Sequence, residues 1–137
     1  MSMLICIDVF PELKPIQYEV AIYTADVAYA GTDANVSLTV YGENGDSGQR
    51  KLTKKMVNLF ERGQRDVFNV EALDLGQLKR VRIEHDNKGF GAGWKLDKVE
   101  ITHLTSSEMV LFPCNQWFDK KKGDGLISRD LVPSAAS

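Results

Sequence analysis

The chain has 137 residues, of which 43% are hydrophobic, which suffices for one domain with a single core but not for two of ordinary size. Its 17 Lys and Arg nearly balance 19 Asp and Glu, which excludes a general nucleic-acid binder because such proteins are usually strongly basic. Two widely separated cysteines without metal-ligand spacing predict no disulfide framework and a reducing, cytoplasmic compartment.

Residues 1–15 are interpreted as a native linker or added sequence before the domain. The apolar opening carries Asp8, lacks a basic flank and is too short to span a bilayer, so we predict neither a signal peptide nor a transmembrane segment. Pro11 and Pro15 favour an extended chain. The domain is expected over 16–133, and the small polar residues 134–137 are expected to fray.

From Ile16 onward, short runs alternate apolar and polar residues and show no helical period. Trp94 and Leu96 share one phase of alternation whereas Val99 and Ile101 share the other, which predicts a β-bulge near Asp97. The pattern predicts an all-β fold, a two-sheet antiparallel β-sandwich of about eight strands. The predicted strands are 18–23, 36–41, 49–52, 66–70, 79–85, 94–101, 109–112 and 126–132.

The stretch from Tyr29 to Val36 joins the first two predicted strands and contains Gly31, Asp33 and Asn35. A loop that presents carboxylate and amide oxygens at the end of a sandwich is typical of a calcium site. The alternative is a surface loop whose Asp and Asn cap their own backbone. The stretch alone does not decide between these two interpretations.

Motifs of catalytic chemistry are present only in isolation. Gly45–Gly48 has the letters of a serine-protease nucleophile motif, but a positioned histidine and a second carboxylate are missing, so a hairpin turn is predicted. Gly89-x-Gly91-x-Gly93 precedes a strand rather than the helix that a phosphate loop needs. Neither a zinc set nor an EF-hand spacing occurs. We therefore predict that the chain is not an enzyme.

Six motifs follow one another along the chain, namely Tyr29–Asn35, Asn58–Gly63, His85–Asn87, Gly93-Trp94, Asp97–Val99 and Phe112–Trp117. Together they resemble the PLAT (lipoxygenase homology) domain family. They extend from about Tyr18 to Val132, and two longer stretches, 59–63 and 117–125, look most like a repeat of a multi-PLAT protein. The resemblance implies a non-catalytic sandwich that targets membranes or binds proteins, often with calcium in loops at one end.

The resemblance also implies a set of calcium ligands. They are the side chains of Asp33, Asn58 and Glu61, backbone carbonyls near Tyr29 and Gly31, and Asp86 as a further ligand. Leu59 and Ala34 stand where relatives carry acids, so binding is expected to be weak.

Electrostatics supports this assignment only in part. Asp33, Glu61 and Asp86 lie on three different connections. If these loops meet at one end, the three carboxylates would repel one another unless a cation neutralised them. The alternative is that Glu61 pairs with Arg62, Arg65 or a nearby lysine and that Asp86 caps the glycine-rich loop.

Tyr29 and Phe90 lie near the tips of two of these loops, where they are predicted to contact the membrane. The alternative is that both rings lie back against the end of the sandwich. The densest basic cluster outside 120–122 supplies candidate contacts to anionic headgroups, namely Arg50, Lys51, Lys54 and Lys55.

Together these observations predict a cytoplasmic module, peripheral to the membrane, that binds anionic membrane lipid or a membrane-associated protein with the help of calcium. It is expected to be a monomeric domain of a larger chain. The alternative function is a pure protein-interaction or spacer module of a repeat array, without lipid binding.

Overall fold

A computed structural model describes residues 14–135 as two antiparallel sheets packed face to face. One sheet has the strand order β5-β1-β7-β8, and the other has the order β3-β2-β6-β9 with the short strand β4 also paired to β2. The strands are β1 (Pro15–Thr24), β2 (Val36–Gly42), β3 (Gly45–Asp46), β4 (Arg50–Lys51), β5 (Arg65–Leu73), β6 (Leu78–His85), β7 (Trp94–His103), β8 (Met109–Phe118) and β9 (Ser128–Leu131).

The predicted all-β sandwich is confirmed. In β1, Tyr18, Val20 and Ile22 point into the core, and their partners across the sandwich are the alternate apolar residues of the second sheet, such as Val81 of β6. The structure has two very short strands, β3 and β4, and it extends β5 and β8 beyond the predicted ranges. The extensions are held by pairing to β1 and β7, which local alternation does not report.

The predicted bulge at Asp97 is also confirmed. Against β8 the register shifts at this point: Leu96 pairs with Gln116 and Lys98 pairs with Pro113, so two residues of β8 stand opposite Asp97. Against β1, the adjacent residues Tyr23 and Thr24 pair with Lys98 and Leu96, so Asp97 is the extra residue of β7 on this side. Because the extra residue changes the phase of alternation, Trp94 and Val99 are both buried although their positions differ by five, an odd number.

The Gly45–Gly48 stretch lies in the connection between β2 and β4: Gly45 and Asp46 form β3, which pairs back to β2 across a hairpin turn at residues 43–44. Ser47 is buried, and its hydroxyl donates to the Gly48 carbonyl (2.8 Å) and accepts from the Val40 amide (2.9 Å). A hydroxyl held in two such bonds stabilises the turn rather than serving as a nucleophile.

An aromatic cluster fills one end of the core. The ring of Trp94 lies 5.5 Å from that of Phe60 and 5.2 Å from that of Phe118, and Phe68 stacks on Phe60 at 5.9 Å. Such pairs add about 0.5–1.5 kcal/mol each beyond the area that they bury. The Trp94 indole N–H donates to the Thr24 hydroxyl (2.9 Å), so the only polar atom of this ring is paired.

The ends of the chain are described only in part. The predicted linker falls mostly on residues 1–13, which lie outside the described residues, as do residues 136 and 137 of the predicted tail. Within that tail the Ser134 amide donates to the Leu111 carbonyl (2.8 Å). In the described part of the chain, no helix has the length and apolar character needed to cross a membrane.

The Trp94–Thr24 hydrogen bond generates a testable prediction for stability. Thr24→Val keeps the shape of the side chain but leaves the buried indole N–H unpaired, which should cost about 1–3 kcal/mol in urea unfolding. In a Trp94→Phe background the same change should cost much less, because no donor remains to be left unpaired. Thr39→Val is the matched control at another buried threonine, and an equal loss there would contradict the assignment.

Candidate metal centre

Three connections meet at the end of the sandwich beside the aromatic cluster. They are the β1–β2 loop (25–35), the end of the β4–β5 connection (58–64) and the β6–β7 loop (86–93). Thr32 joins them, because its amide donates to the Phe60 carbonyl (3.0 Å) and its hydroxyl donates to the Ala92 carbonyl (2.7 Å). The same hydroxyl accepts from the Ala34 amide (3.1 Å). Sequence reasoning missed this buried threonine, whose role depends on contacts distant in sequence.

Gly31 lies where two of these connections cross. A Cβ at this position would sit 3.0 Å from the Phe60 carbonyl oxygen and 3.2 Å from the Arg62 nitrogen, both of them backbone atoms. A larger residue would therefore force the loops apart. Among residues 14–135, no hydrogen bond to the carbonyl of Gly31 or of Tyr29 is found, so both oxygens remain available as ligands.

Asp33, Asn58 and Glu61 line the same open pocket of about 210 Å³. Their side chains make no hydrogen bond or ion pair with any described residue. The alternative pairing of Glu61 is not observed within the described residues: Arg62 instead bonds Asp26 (2.9 Å), and Arg65 approaches Glu19 (3.8 Å). Two carboxylates and an amide facing one pocket without protein partners are hard oxygen donors of the kind that calcium takes.

Leu59 lines the same pocket but supplies no oxygen. Its side chain packs against the hydrophobic core, beside the buried Phe60. The position where related proteins were expected to carry an acid therefore contributes packing in this chain, and the pocket has one fewer negative charge.

Asp86 has a different environment from the other two acids. One of its carboxylate oxygens accepts from the Asn35 and Lys88 amides (both 3.1 Å), and the other accepts from the Asn35 side-chain amide (2.6 Å). These bonds, that from the Asn35 side chain above all, lower the pKa of Asp86 to about 2. Asp86 thus caps the glycine-rich loop and ties it to the β1–β2 loop, as the alternative interpretation held.

Asp33, Glu61 and Asp86 do not assemble into one set of metal ligands. Across residues 14–135 no group of three or more acidic, histidine or cysteine side chains is close enough to hold an ion together. A calcium ion here would therefore depend on Asp33, Glu61, Asn58 and carbonyl oxygens. A direct bond from Asp86 stays a prediction.

His85, the last residue of β6, holds the start of the β6–β7 loop in place through hydrogen bonds. Its Nδ1 accepts from the Asn87 amide (2.9 Å), and its Nε2 lies 2.7 Å from the Phe118 carbonyl oxygen, to which it donates. Both ring nitrogens of this buried residue are therefore used in holding the loop. Such a ring is a structural group and has no free position for acid–base work.

An apolar rim surrounds this end of the sandwich. The side chains of Tyr29 and Phe90 are 85% and 95% exposed, so neither ring lies back against the sandwich. Met56 is fully exposed on the neighbouring connection, followed by the exposed Val57, and sequence reasoning missed both. The available signal was their position directly after Lys54 and Lys55, in a segment without strand alternation. We use the term apolar rim for Val27, Tyr29, Met56, Val57 and Phe90.

The four basic residues proposed as contacts to anionic headgroups differ in whether they are already bonded within the protein. The Arg50 guanidinium is held by the carbonyl oxygens of Ser47 (3.0 Å) and Glu71 (2.7 Å). Lys51 and Lys55 are exposed, and the Lys54 ammonium lies 5.3 Å from the centre of the Phe68 ring. Only the lysines are therefore available for an anionic ligand without breaking a bond.

The comparisons with known proteins agree with this fold. The PLAT/LH2 domain model matches residues 18–132, so the chain belongs to the PLAT/LH2 domain family. Human lipoxygenase homology domain-containing protein 1 is 52% identical over 122 residues, which cover 89% of this chain but 6% of that protein. The chain thus corresponds to a small part of the length of this relative, in keeping with the predicted resemblance to a multi-PLAT protein.

Two solved structures of lipoxygenases share the fold. Coral 8R-lipoxygenase, described as activated by calcium through a C2-like domain, superposes with a TM-score of 0.77 at 28% identity, over 88% of this chain and 17% of that one. A calcium-dependent 11R-lipoxygenase gives 0.65 at 25% identity, over 86% and 17%. Calcium regulation is a described property of those enzymes.

The role of Asp86 can be tested through the pH dependence of stability. Because its pKa in the folded protein, about 2, lies below the ordinary 3.8, the carboxylate stabilises the fold at pH above 4, and this contribution is lost as pH falls towards 2. Asp86→Asn should therefore be less stable than the wild type at pH 7, with the difference shrinking below pH 4. Urea unfolding across this range in EDTA measures both.

Asp33→Asn is the matched control for this experiment. Its carboxylate is exposed and has no protein partner among the described residues, so the substitution should leave the acid limb of the stability curve unchanged. An Asp86 variant whose stability follows the wild type at every pH would contradict the bonding described.

Proposed function

We propose that this PLAT/LH2 domain is a non-catalytic, cytoplasmic module that docks on anionic membrane, or on a membrane-associated protein, with the help of calcium. The proposal rests on the position of two features of the domain. The unpaired oxygens of Asp33, Asn58 and Glu61 and the exposed apolar rim occupy the same end of the sandwich. An ion bound there would sit between the domain and any surface that the rim contacts.

Calcium would act first on the local charge. Asp33 and Glu61 present two negative charges to the pocket, which repel an anionic surface while they are not neutralised. An ion held by these carboxylates, by Asn58 and by carbonyls near Tyr29 and Gly31 would supply the attraction that the negatively charged domain lacks. With Leu59 contributing no oxygen, the expected affinity is in the weaker range, about 10⁻⁵ to 10⁻³ M.

The apolar rim would supply the second contribution. Tyr29, Met56 and Phe90 lie on three different connections, so one surface can receive all three side chains. A few inserted side chains do not hold a domain on a bilayer by themselves, and stable binding needs a second signal such as electrostatic attraction. Lys54 and Lys55 precede Met56 and add about 1 kcal/mol each near an anionic membrane.

The rival function is a protein-interaction or spacer module without lipid binding. Its support is that the chain matches only 6% of the length of human lipoxygenase homology domain-containing protein 1, as one module of a long chain would. The same end surface would then contact a protein, and calcium would have a structural role. Lipid binding distinguishes the two functions.

Calcium binding is predicted to raise the melting temperature, because a ligand that binds only the folded state stabilises it by mass action. An ion present at about 100 times its dissociation constant should contribute about 2.7 kcal/mol. Asp33→Asn and Glu61→Gln should each abolish most of this shift, whereas Glu108→Gln, an exposed acid on the β7–β8 connection at the opposite end of the sandwich, should keep it. Scanning calorimetry with and without EDTA measures the shift, and equal shifts in all four proteins would place the ion elsewhere.

Membrane docking is predicted to need calcium and anionic lipid together and to weaken with added salt. Sedimentation with phosphatidylserine vesicles should fall strongly in the Tyr29→Ala, Met56→Ala and Phe90→Ala triple variant. Leu104→Ala, an exposed leucine at the opposite end, is the control and should bind like the wild type. If the triple variant sediments as well as the control does, the rim is not the contact and the protein-interaction function is favoured.

A further inference from the structure

The strand β5 forms one edge of its sheet, and one hydrogen bond identifies which of its backbone groups face outward. The Glu71 carbonyl accepts from Arg50, which lies on the other sheet (2.7 Å). In an antiparallel strand the N–H and C=O of one residue point to the same side, and the side alternates along the strand. Glu71 therefore faces away from β1, and so do the residues at every second position from it.

The hydrogen bonding of β1 independently indicates that Glu71 faces away from β1. The carbonyl of Gln17, which lies opposite Glu71, accepts from the Leu104 amide at the end of β7 (3.0 Å), so Gln17 faces β7 and not β5. The register between β1 and β5 continues without a shift from Pro15–Leu73 to Tyr23–Arg65. Val67 and Asn69 consequently present both their N–H and C=O groups to the free edge. Within residues 14–135, no side chain or loop amide bonds to either of these two residues.

An open groove of about 530 Å³ runs along this edge. Residues 67–70 of β5 form one wall, and residues 50–54, which include β4, form the other. Arg50, bonded to Glu71, closes one end of the groove, and Lys54, over the Phe68 ring, stands beside its middle. The groove is thus a passage between the edges of the two sheets, with unpaired main-chain groups along one side.

The charge of the groove is predominantly positive. Arg50, Lys51 and Lys54 line it, and Glu19 is the one acid among its lining residues, with its carboxylate 3.8 Å from Arg65. Edge strands commonly carry lysines that discourage pairing with other strands. Here the basic side chains line the opposite wall rather than the free edge itself, so they would attract an acidic segment into the groove.

We propose that this groove binds an extended, acidic peptide segment of a partner protein, which adds to β5 as a further strand. Main-chain bonds to Val67 and Asn69 would supply affinity, and carboxylates of the segment would meet Lys51 and Lys54. A lipid headgroup could accept the outward N–H groups but has no donors spaced to satisfy the carbonyls, which is why a peptide is the occupant. The site lies along the side of the sandwich and needs neither calcium nor lipid.

The test measures binding of the purified chain to a short fluorescein-labelled peptide of alternating glutamate and valine. Three probes separate the contributions: this peptide, the same peptide with every backbone nitrogen methylated, and its lysine–valine counterpart. Fluorescence anisotropy in EDTA should show saturable binding of the first probe. Affinity should fall by about tenfold or more for each of the other two, which lack the donors or the charge.

Hydrogen exchange supplies the residue-level readout. On binding, the amides of Val67 and Asn69 should gain protection, whereas the amide of Phe68, which faces β1, should not change. Lys51→Glu with Lys54→Glu should weaken binding by about tenfold, and the matched pair Lys120→Glu with Lys121→Glu, on the β8–β9 connection, should not.

Three outcomes would overturn the proposal. They are no saturable binding of the glutamate–valine peptide, equal binding of its methylated form, and equal weakening by the control charge reversals. The last two would indicate general attraction of anions to the domain rather than strand addition. Calcium-dependent sedimentation with vesicles is measured separately, so failure here leaves the membrane proposal to its own test.

Discussion

The burial of Phe60 is the constraint on which the functional end of this domain depends. This residue adopts a left-handed backbone conformation (φ 58°), which is unfavourable for a bulky side chain, and it inserts its ring against Trp94 and Phe68. The buried Asp66 carboxylate accepts from its amide (2.9 Å), and Thr32 donates to its carbonyl (3.0 Å). Because the ring cannot leave the core without breaking these bonds, Asn58 and Glu61 on either side are held facing the pocket.

The acidic residues at this end have two different roles, which depend on whether their carboxylates accept hydrogen bonds from the protein. Asp66 and Asp86 accept several hydrogen bonds each and hold connections in place. Asp33 and Glu61 make no hydrogen bond or ion pair with any described residue, although Lys54 lines the same pocket. A carboxylate whose oxygens are already used in the fold gains less from an ion than one whose oxygens face only water. This difference, and not the number of acids, identifies which carboxylates are suited to calcium.

The two proposed surfaces use different parts of a β-sandwich. At the end, loops present side-chain oxygens and exposed apolar tips, a chemistry suited to an ion and a membrane surface. At the side, the edge of β5 presents main-chain groups, which are suited to another strand. Arg50 lies at the boundary of the second surface, where its bonds to Ser47 and Glu71 join the edges of the two sheets. The two surfaces adjoin at Lys54, which lines both the calcium pocket and the groove.

The sequence by itself determined the period-two alternation, the bulge at Asp97 and the turn within residues 42–48. Each of these depends on a few neighbouring residues, and local geometry decides whether a side chain points inward. The motif resemblance added the candidate ligands. Asp33 and Glu61 could be proposed in this way, with Asp86 as a further ligand beside them.

Only the tertiary structure separated these acids, because the partners of Asp86 lie elsewhere: Asn35 is 51 positions away along the chain. The tertiary structure also placed Met56 on the apolar rim, showed Leu59 against the core and brought Arg50 to Glu71 of the other sheet. Hydrogen bonds and burial of this kind arise between segments distant in sequence. No periodicity or spacing encodes them, because they form only when the two sheets pack and fix the loops relative to one another.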